Sequence, residues 1–147
     1  MTLRDLYLAL AKDVPADVTG KTVKPNPYKK WNEINPTYPD LPIVVYGPPP
    51  TSGTRDALNE LGIEKGCKTF PERKKLKEKN KKLYKSQCRS IREDGVYVEA
   101  GENDNLIIEK LKTNPDALGV FGYSFLDQNR DAVKAATMNG VSPEFQV

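Results

Sequence analysis

Apolar residues along this chain alternate between helical spacing and short continuous runs. Within residues 3–10 they form one stripe at helical spacing, with Thr2 before it and Asp5 three residues later, a capping-box pattern. This predicts a short helix that ends near residue 13. The run IVVY at 43–46 is bounded by proline and glycine, which predicts a buried strand.

The same alternation continues toward the end of the chain. Further strands are expected at 96–98, 118–123 and 133–138. Further helices are expected from about 54 to Gly62 or Gly66, over 71–91 with a break near Asn80, from 103 to 114, and over 124–129. Strands that alternate with helices predict an α/β fold with a largely parallel sheet.

Residues 15–42 contain six of the twelve prolines of the chain. The prolines predict irregular structure, and four large apolar side chains make an ordered wrap more plausible than a flexible linker. One helical turn is expected at 31–34. The apolar anchors are Tyr28, Trp31, Ile34 and Tyr38.

Length and composition exclude several classes of protein. The 147 residues suit one compact domain or one lobe of a larger protein. No apolar run approaches the roughly 18 residues of a membrane span. The chain has no histidine, the commonest general base and zinc ligand, and its two cysteines cannot build a four-ligand zinc site. We therefore expect neither a metal nor an organic cofactor.

Both ends of the sequence look cut. The amphipathic helix follows Met1 directly, without the basic and apolar regions of an export signal, and residues 140–147 are typical of a loop. We therefore expect a segment of a longer protein.

The positive charge is concentrated in one segment. The formal net charge is +3, but residues 73–85 hold eight basic residues and one acidic residue, so the rest of the chain is negative. The simplest interpretation is the solvated face of a surface helix. The alternatives are a polyanion-binding or nucleic-acid-binding module on the 73–85 helix, or a contact with a protein or an acidic surface. With one tyrosine and no recognisable reading module, we expect no nucleic acid as partner.

The loop after the first predicted strand carries the most specific chemistry. The first amides of a helix lack intrahelical acceptors and lie at the positive end of the helix dipole, so they favour an anion. Gly53 allows close approach of the backbone, Ser52 and Thr54 add hydroxyls, and Arg55 adds a planar set of donors. The plainer interpretation is a helix cap in an ordinary turn.

Two flanking residues complete this loop. Thr51 is an alternative cap, and Asp56 could orient Arg55 or simply lie favourably in the first helical turn. The loop lacks the ending of a Walker A motif and the pattern of a nucleophile elbow. We therefore expect a binding protein and not an enzyme.

Several ordered motifs resemble the PstS-like phosphate-binding proteins of ABC transporters. The likeness extends through nearly the whole chain, including residues 6–11 and 26–31. Its main segments are YGPPPTSGTRD at 46–56, IREDGVYVE at 91–99, GENDNLI at 101–107 and LGVFGYSFL at 118–126.

The resemblance implies a two-lobed periplasmic-binding-protein fold, with residues 1–147 as the second lobe: a three-layer lobe with a mostly parallel central sheet flanked by helices. It implies half of a phosphate site, with Ser52, Gly53 and Thr54 as contacts. Members often carry Arg-x-Asp-Gly upstream, where this chain has three prolines, so Arg55 is the substitute candidate.

The resemblance also implies partners and a location. They are a phosphate or similar oxyanion, the missing first lobe, and an ABC permease in a periplasmic or extracytoplasmic setting. A lobe without its partner could also self-associate into a homo-oligomer.

Further residues are assigned less directly. Asn103 and Asp104 are expected to cap a helix, with a cleft contact as the alternative, and Tyr123 is core or a ligand contact. Cys67 and Cys88 would be buried if free, but the exported family implies a disulfide between them.

Overall fold

The computed structural model of the chain describes residues 1–101 and 103–122, together with positions 128, 129, 131 and 133. Helix α1 (Leu3–Leu10) begins as predicted. The Asp5 amide donates to the Thr2 hydroxyl at 3.1 Å, and the Thr2 amide donates to the Asp5 carboxylate at 3.2 Å. This reciprocal capping box satisfies two amides that would otherwise lack acceptors.

The proline-rich stretch contains more regular structure than its composition predicts. Strands β1 (Asp13–Pro15) and β2 (Val23–Pro25) pair as an antiparallel ribbon, where we expected irregular chain. Each strand has only three residues, too short for a recognisable alternation of apolar and polar positions. Helix α2 (Trp31–Ile34) is the single turn predicted there.

A parallel sheet of three strands forms the centre of the described fold. Strand β3 (Val45–Gly47) lies between β4 (Tyr97–Glu99) and β5 (Leu118–Gly119), and both neighbours run parallel to it. Helices connect β3 to β4 and β4 to β5. The predicted α/β class with a parallel sheet is confirmed.

A long helical stretch follows β3. It comprises α3 (Gly53–Ala57), a π-helical segment (Leu58–Glu64) and α4 (Lys65–Cys67), and the backbone stays helical across both junctions. Gly66 lets this stretch approach α1, because a Cβ there would overlap the backbone of the first helix. Close packing thus favours glycine at a position where sequence pattern suggested a helix end.

A helical hairpin carries the basic segment. Helix α5 (Pro71–Lys79) and helix α6 (Lys81–Cys88) meet at Asn80, whose side chain accepts a hydrogen bond from the Leu83 amide at 3.1 Å. The predicted break near residue 80 is confirmed. Helix α7 (Asp104–Thr113) follows β4.

The core lies between α1, the sheet and the helices around them. Its largest fully buried side chains include Tyr7, Leu10, Ile63 and Val45. A disulfide joins Cys67 to Cys88 with their Cα atoms 5.5 Å apart, so the bond that the family resemblance implied is present and ties α4 to α6.

Some expectations fall beyond the described residues. Tyr123 and most of the helix and strand predicted at 124–129 and 133–138 lie outside them. Within the described ranges, no helix combines the length and apolar character needed to cross a membrane.

Candidate functional site

Two helices begin at the same edge of the sheet. Strands β3 and β4 are parallel neighbours, and each is followed by a loop and then a helix, α3 or α7. The Ala100 amide donates to the Gly47 carbonyl at 2.9 Å, which joins the two strand ends. In open α/β sheets, ligands bind in the crevice beyond the carboxyl ends of the strands. A ligand-binding site is therefore expected at this edge of the sheet.

The loop that leads to α3 is anchored at its first proline. Pro48 is fully buried, and its carbonyl oxygen accepts hydrogen bonds from the Tyr97 hydroxyl at 2.7 Å and from Arg55 Nη1 at 3.3 Å. The Tyr97 ring occupies the space where a Cβ of Gly47 would lie. A glycine at the end of β3 thus allows the tyrosine of the neighbouring strand to hold the loop.

The first turn of α3 is capped on one side and open on the other. The Thr54 amide donates to the Ser52 hydroxyl at 3.1 Å, so Ser52 is the helix cap. The amides of Gly53 and Arg55 have no acceptor within the helix because they belong to its first turn. A Cβ built on Gly53 would meet nothing within 4 Å, so this turn borders open space. The helix cap that the sequence suggested is present at Ser52.

Arg55 is placed behind the loop and not on its surface. The residue is only 8 % exposed. Its guanidinium lies over the Tyr97 ring, with the carbon 4.8 Å from the ring centre, and Nη1 is 3.8 Å from the Glu99 carboxylate. Its Nε is buried and has no hydrogen-bond partner in the described part of the chain. Arg55 thus helps to hold the loop through the Pro48 carbonyl, while the N–H at its Nε has no acceptor among the described residues.

Sequence reasoning missed Tyr97 and Glu99 as neighbours of this loop. Burial raises the pKa of Tyr97, so its phenol stays protonated and can donate to the Pro48 carbonyl. The acid within 4.0 Å of Arg55 is Glu99, whereas Asp56 lies exposed in the first turn of α3. The signal for Tyr97 is the predicted strand at 96–98. If that strand pairs in parallel with β3, its end lies beside the end of β3, where the loop begins.

Three further predicted residues, Thr51, Asn103 and Asp104, lie at the same edge. Asn103 is exposed and caps α7, accepting a hydrogen bond from the Asn105 amide at 3.0 Å. Asp104 begins that helix, and Thr51 is exposed next to Ser52. The predicted cap at Asn103 is present.

The basic segment at 73–85 is not one uniform face. Arg73 is buried and donates to the carbonyl oxygens of Gly20 and Lys21, so it holds the fold together. The lysines of the segment are all exposed on the two helices of the hairpin. Among the described residues, no group of three or more acidic residues and cysteines is arranged to hold a metal ion.

Comparisons with known proteins bear on this site. The sequence model of the family described as "PBP superfamily domain" matches residues 1–145. The chain is 26 % identical over 106 residues to the phosphate-binding protein PstS of Staphylococcus saprophyticus, which covers 72 % of this chain and 24 % of that protein. It is 26 % identical over 126 residues to the protein SphX of Synechococcus elongatus, covering 86 % of this chain and 28 % of that protein.

The chain therefore spans about a quarter of the length of these curated relatives. A solved structure described as a possible phosphate binding protein from Planctomyces limnophilus superposes with a TM-score of 0.56 at 22 % identity. That superposition covers 95 % of this chain and 36 % of the solved one. It supports the fold of a parallel sheet flanked by helices.

Proposed function

Since the chain belongs to the PBP superfamily, whose sequence model matches residues 1–145, we propose that it is one lobe of a phosphate-binding protein and supplies half of the phosphate site. The names of its relatives support this substrate, because PstS is described as a phosphate-binding protein. The partial coverage of those relatives supports a single lobe of a larger molecule.

The observation that carries the proposal is the open first turn of α3. Phosphate would accept hydrogen bonds from the amides of Gly53 and Arg55, which lack acceptors within the helix. The hydroxyls of Ser52 and Thr54 would complete the contact, and Gly53 leaves the approach clear of a Cβ. All of these groups belong to one turn, so their geometry is fixed before the anion arrives.

Arg55 would act on the anion mainly through its charge. Its guanidinium lies close behind the loop, and its Nε keeps a donor without a partner among the described residues. Glu99 is 3.8 Å away, beyond hydrogen-bond distance, so the positive charge is only partly neutralised. A buried charge acts through a low dielectric and is therefore felt strongly at the loop.

Residues on the rim would line the cleft. Thr51 and Asp56 flank the anion-binding turn, and Asn103 and Asp104 begin the neighbouring helix at the same sheet edge. Tyr123 remains a candidate contact from sequence. The other lobe of the protein would close over this edge and exclude water.

The biological role would be capture and release without covalent chemistry. An ABC permease would take phosphate from the complete two-lobed protein outside the cytoplasm. Without its partner lobe the site stays half exposed, where hydrogen bonds to the anion compete with water. We therefore expect this chain to bind phosphate weakly.

A pair of matched variants tests the proposal. Thr54→Val keeps the shape of the side chain but removes the hydroxyl, and we expect phosphate binding to weaken by about tenfold or more, as for loss of a hydrogen bond to a charged group. Thr113→Val makes the same change at the far end of α7 and should leave affinity unchanged. Phosphorus NMR titration measures both, and equal affinities for the two variants would contradict the site.

A further inference from the structure

A groove beside the helical hairpin is lined mainly by lysines. Two adjoining cavities of about 380 and 330 Å³ lie between the π-helical segment with α4 on one side and the hairpin α5–α6 on the other. They share Lys68, Lys77 and Lys81, so we treat them as one groove. It runs along the opposite end of the helical stretch from the open turn at 53–55.

The groove carries a strong excess of positive charge. Its walls contribute seven basic and three acidic residues. No lysine of the groove has an ion pair within 4.0 Å among the described residues, and Arg89 pairs with Glu64 at 3.2 Å. Like charges held this close repel one another, so an anion in the groove relieves that repulsion. The six lysines are Lys65, Lys68, Lys74, Lys77, Lys81 and Lys85.

The two walls are held together before any ligand arrives. The disulfide between Cys67 and Cys88 joins α4 to α6, next to Lys68 on one wall and Arg89 on the other. The Arg89–Glu64 pair crosses between the same walls. A binding site with fixed walls loses less conformational entropy when it closes on a ligand.

A buried hydroxyl group marks the floor of the groove. Tyr84 lines the cavity but is only 1 % exposed, and its hydroxyl faces the Glu64 carboxylate. Burial, with the nearby Glu64 charge, raises the pKa of Tyr84, so the phenol keeps its proton and remains a donor. The floor of the groove therefore carries no positive charge, and the attraction for an anion comes from the lysines around it.

We propose that this groove binds a short chain of phosphate groups, with inorganic tripolyphosphate as its simplest representative. Several flexible ammonium groups suit an anion whose charge is spread along its length. The walls expose no aromatic ring on which a nucleic-acid base could stack. The lysines also line a concave space, which a flat lipid surface would not fill. The groove shares no residue with the phosphate site at 52–55, so each can bind its anion without the other.

Two triple variants with equal change in charge test the groove. Lys68→Gln, Lys77→Gln and Lys81→Gln together remove the three lysines shared by both cavities. Lys75→Gln, Lys79→Gln and Lys82→Gln remove three lysines of the same hairpin that do not line it. With tripolyphosphate in titration calorimetry, we expect the first variant to lose about tenfold or more in affinity and the second to change by less than about threefold.

A change of background distinguishes binding in the groove from binding at the turn of α3. Tripolyphosphate also carries oxygens that this turn would bind, so both triple variants are repeated with Thr54→Val. There the first triple variant should still lose about tenfold or more in affinity, and the second should change by less than about threefold. Equal losses in both triple variants, or no loss with the first triple variant once Thr54 is replaced, would overturn the assignment. Absence of saturable tripolyphosphate binding would also overturn it. So would a result in which the groove lysines are needed for binding to phosphatidylglycerol vesicles but not to tripolyphosphate.

Discussion

At the scale of single residues, Arg92 is a charged side chain enclosed by the core. It is only 3 % exposed, and it donates to the carbonyl oxygens of Ala9 and Tyr28 at 3.1 and 2.8 Å. Its remaining donors form a bidentate pair with Asp94 at 2.8 and 2.7 Å. This ion pair is therefore also a junction between three separate segments of the chain.

Asp94→Asn should destabilise the protein at neutral pH. Hydrogen bonds from Arg92, the largest cause, hold the pKa of Asp94 well below its ordinary value of 3.8. The carboxylate therefore contributes stability above about pH 4, and this contribution is lost as the pH falls further. We expect a loss of about 1–2 kcal/mol at pH 7, because Asp94 is 39 % exposed and solvent screens the pair.

Urea denaturation at pH 7 and at acidic pH measures this effect. The difference between wild type and Asp94→Asn should shrink as the pH approaches the folded-state pKa from above. Asp40→Asn is the matched control, since Asp40 pairs with Lys30 on the exposed surface. A control that loses as much stability as Asp94→Asn would show that burial of Arg92 is not the cause.

At the scale of elements, the loop between β3 and α3 is held by contacts from another strand. Tyr97 of β4 bonds to Pro48 at the start of the loop, and Arg55 of α3 bonds to the same carbonyl oxygen. Residues far apart in sequence therefore position the first turn of α3. This rigidity is what the proposed anion site requires.

Two glycine substitutions should separate loop anchoring from anion access. In Gly47→Ala the new methyl group would overlap the Tyr97 ring, whose hydroxyl is bonded to Pro48, so we expect a loss of about 2–3 kcal/mol in stability. In Gly53→Ala the methyl group would enter open space, so stability should stay within about 1 kcal/mol of wild type while phosphate binding weakens.

Thermal or urea unfolding and phosphate titration of both variants provide the check. If Gly53→Ala bound phosphate as well as wild type, close approach of an anion at this turn would be refuted. If Gly47→Ala were as stable as wild type, the tyrosine would not be the anchor of the loop.

The disulfide should contribute stability by restricting the unfolded chain. Cys67 and Cys88 are separated by 21 positions, and closing a loop of this size corresponds to about 3 kcal/mol in the chain-entropy model. The double variant Cys67→Ala and Cys88→Ala should therefore lose about that much free energy of unfolding, which urea denaturation shows as a lower midpoint. Addition of a reductant to wild type should produce a similar shift, and no shift in either case would contradict this prediction.

At the scale of the whole molecule, local signals in the sequence predicted most helices and the parallel sheet. The capping residues Thr2, Asn80 and Asn103 each lie where a helix begins, because a cap acts within one turn. The β1–β2 ribbon and the burial of Arg55 could not be predicted. Both depend on contacts between residues that are far apart in the sequence, and a local pattern of apolar and polar residues does not predict such contacts.

In the proposed site too, local features were predictable from the sequence and long-range contacts were not. Ser52 was predictable as a cap, and Gly53 was predictable as a point of close approach because it has no Cβ. The neighbours Tyr97 and Glu99 reach the loop only through strand pairing. In our proposal the chain is a lobe that presents half of a cleft, and the other half belongs to a partner lobe.

The most direct test of the phosphate site is a titration of the isotope-labelled chain with inorganic phosphate, followed through its backbone amide NMR signals. We predict saturable shifts in the millimolar range that are largest at Gly53, Thr54 and Arg55 and that need about tenfold more phosphate in Thr54→Val. Absence of localised shifts at these amides, or saturation at submicromolar phosphate, would contradict a half-exposed phosphate site at the start of α3.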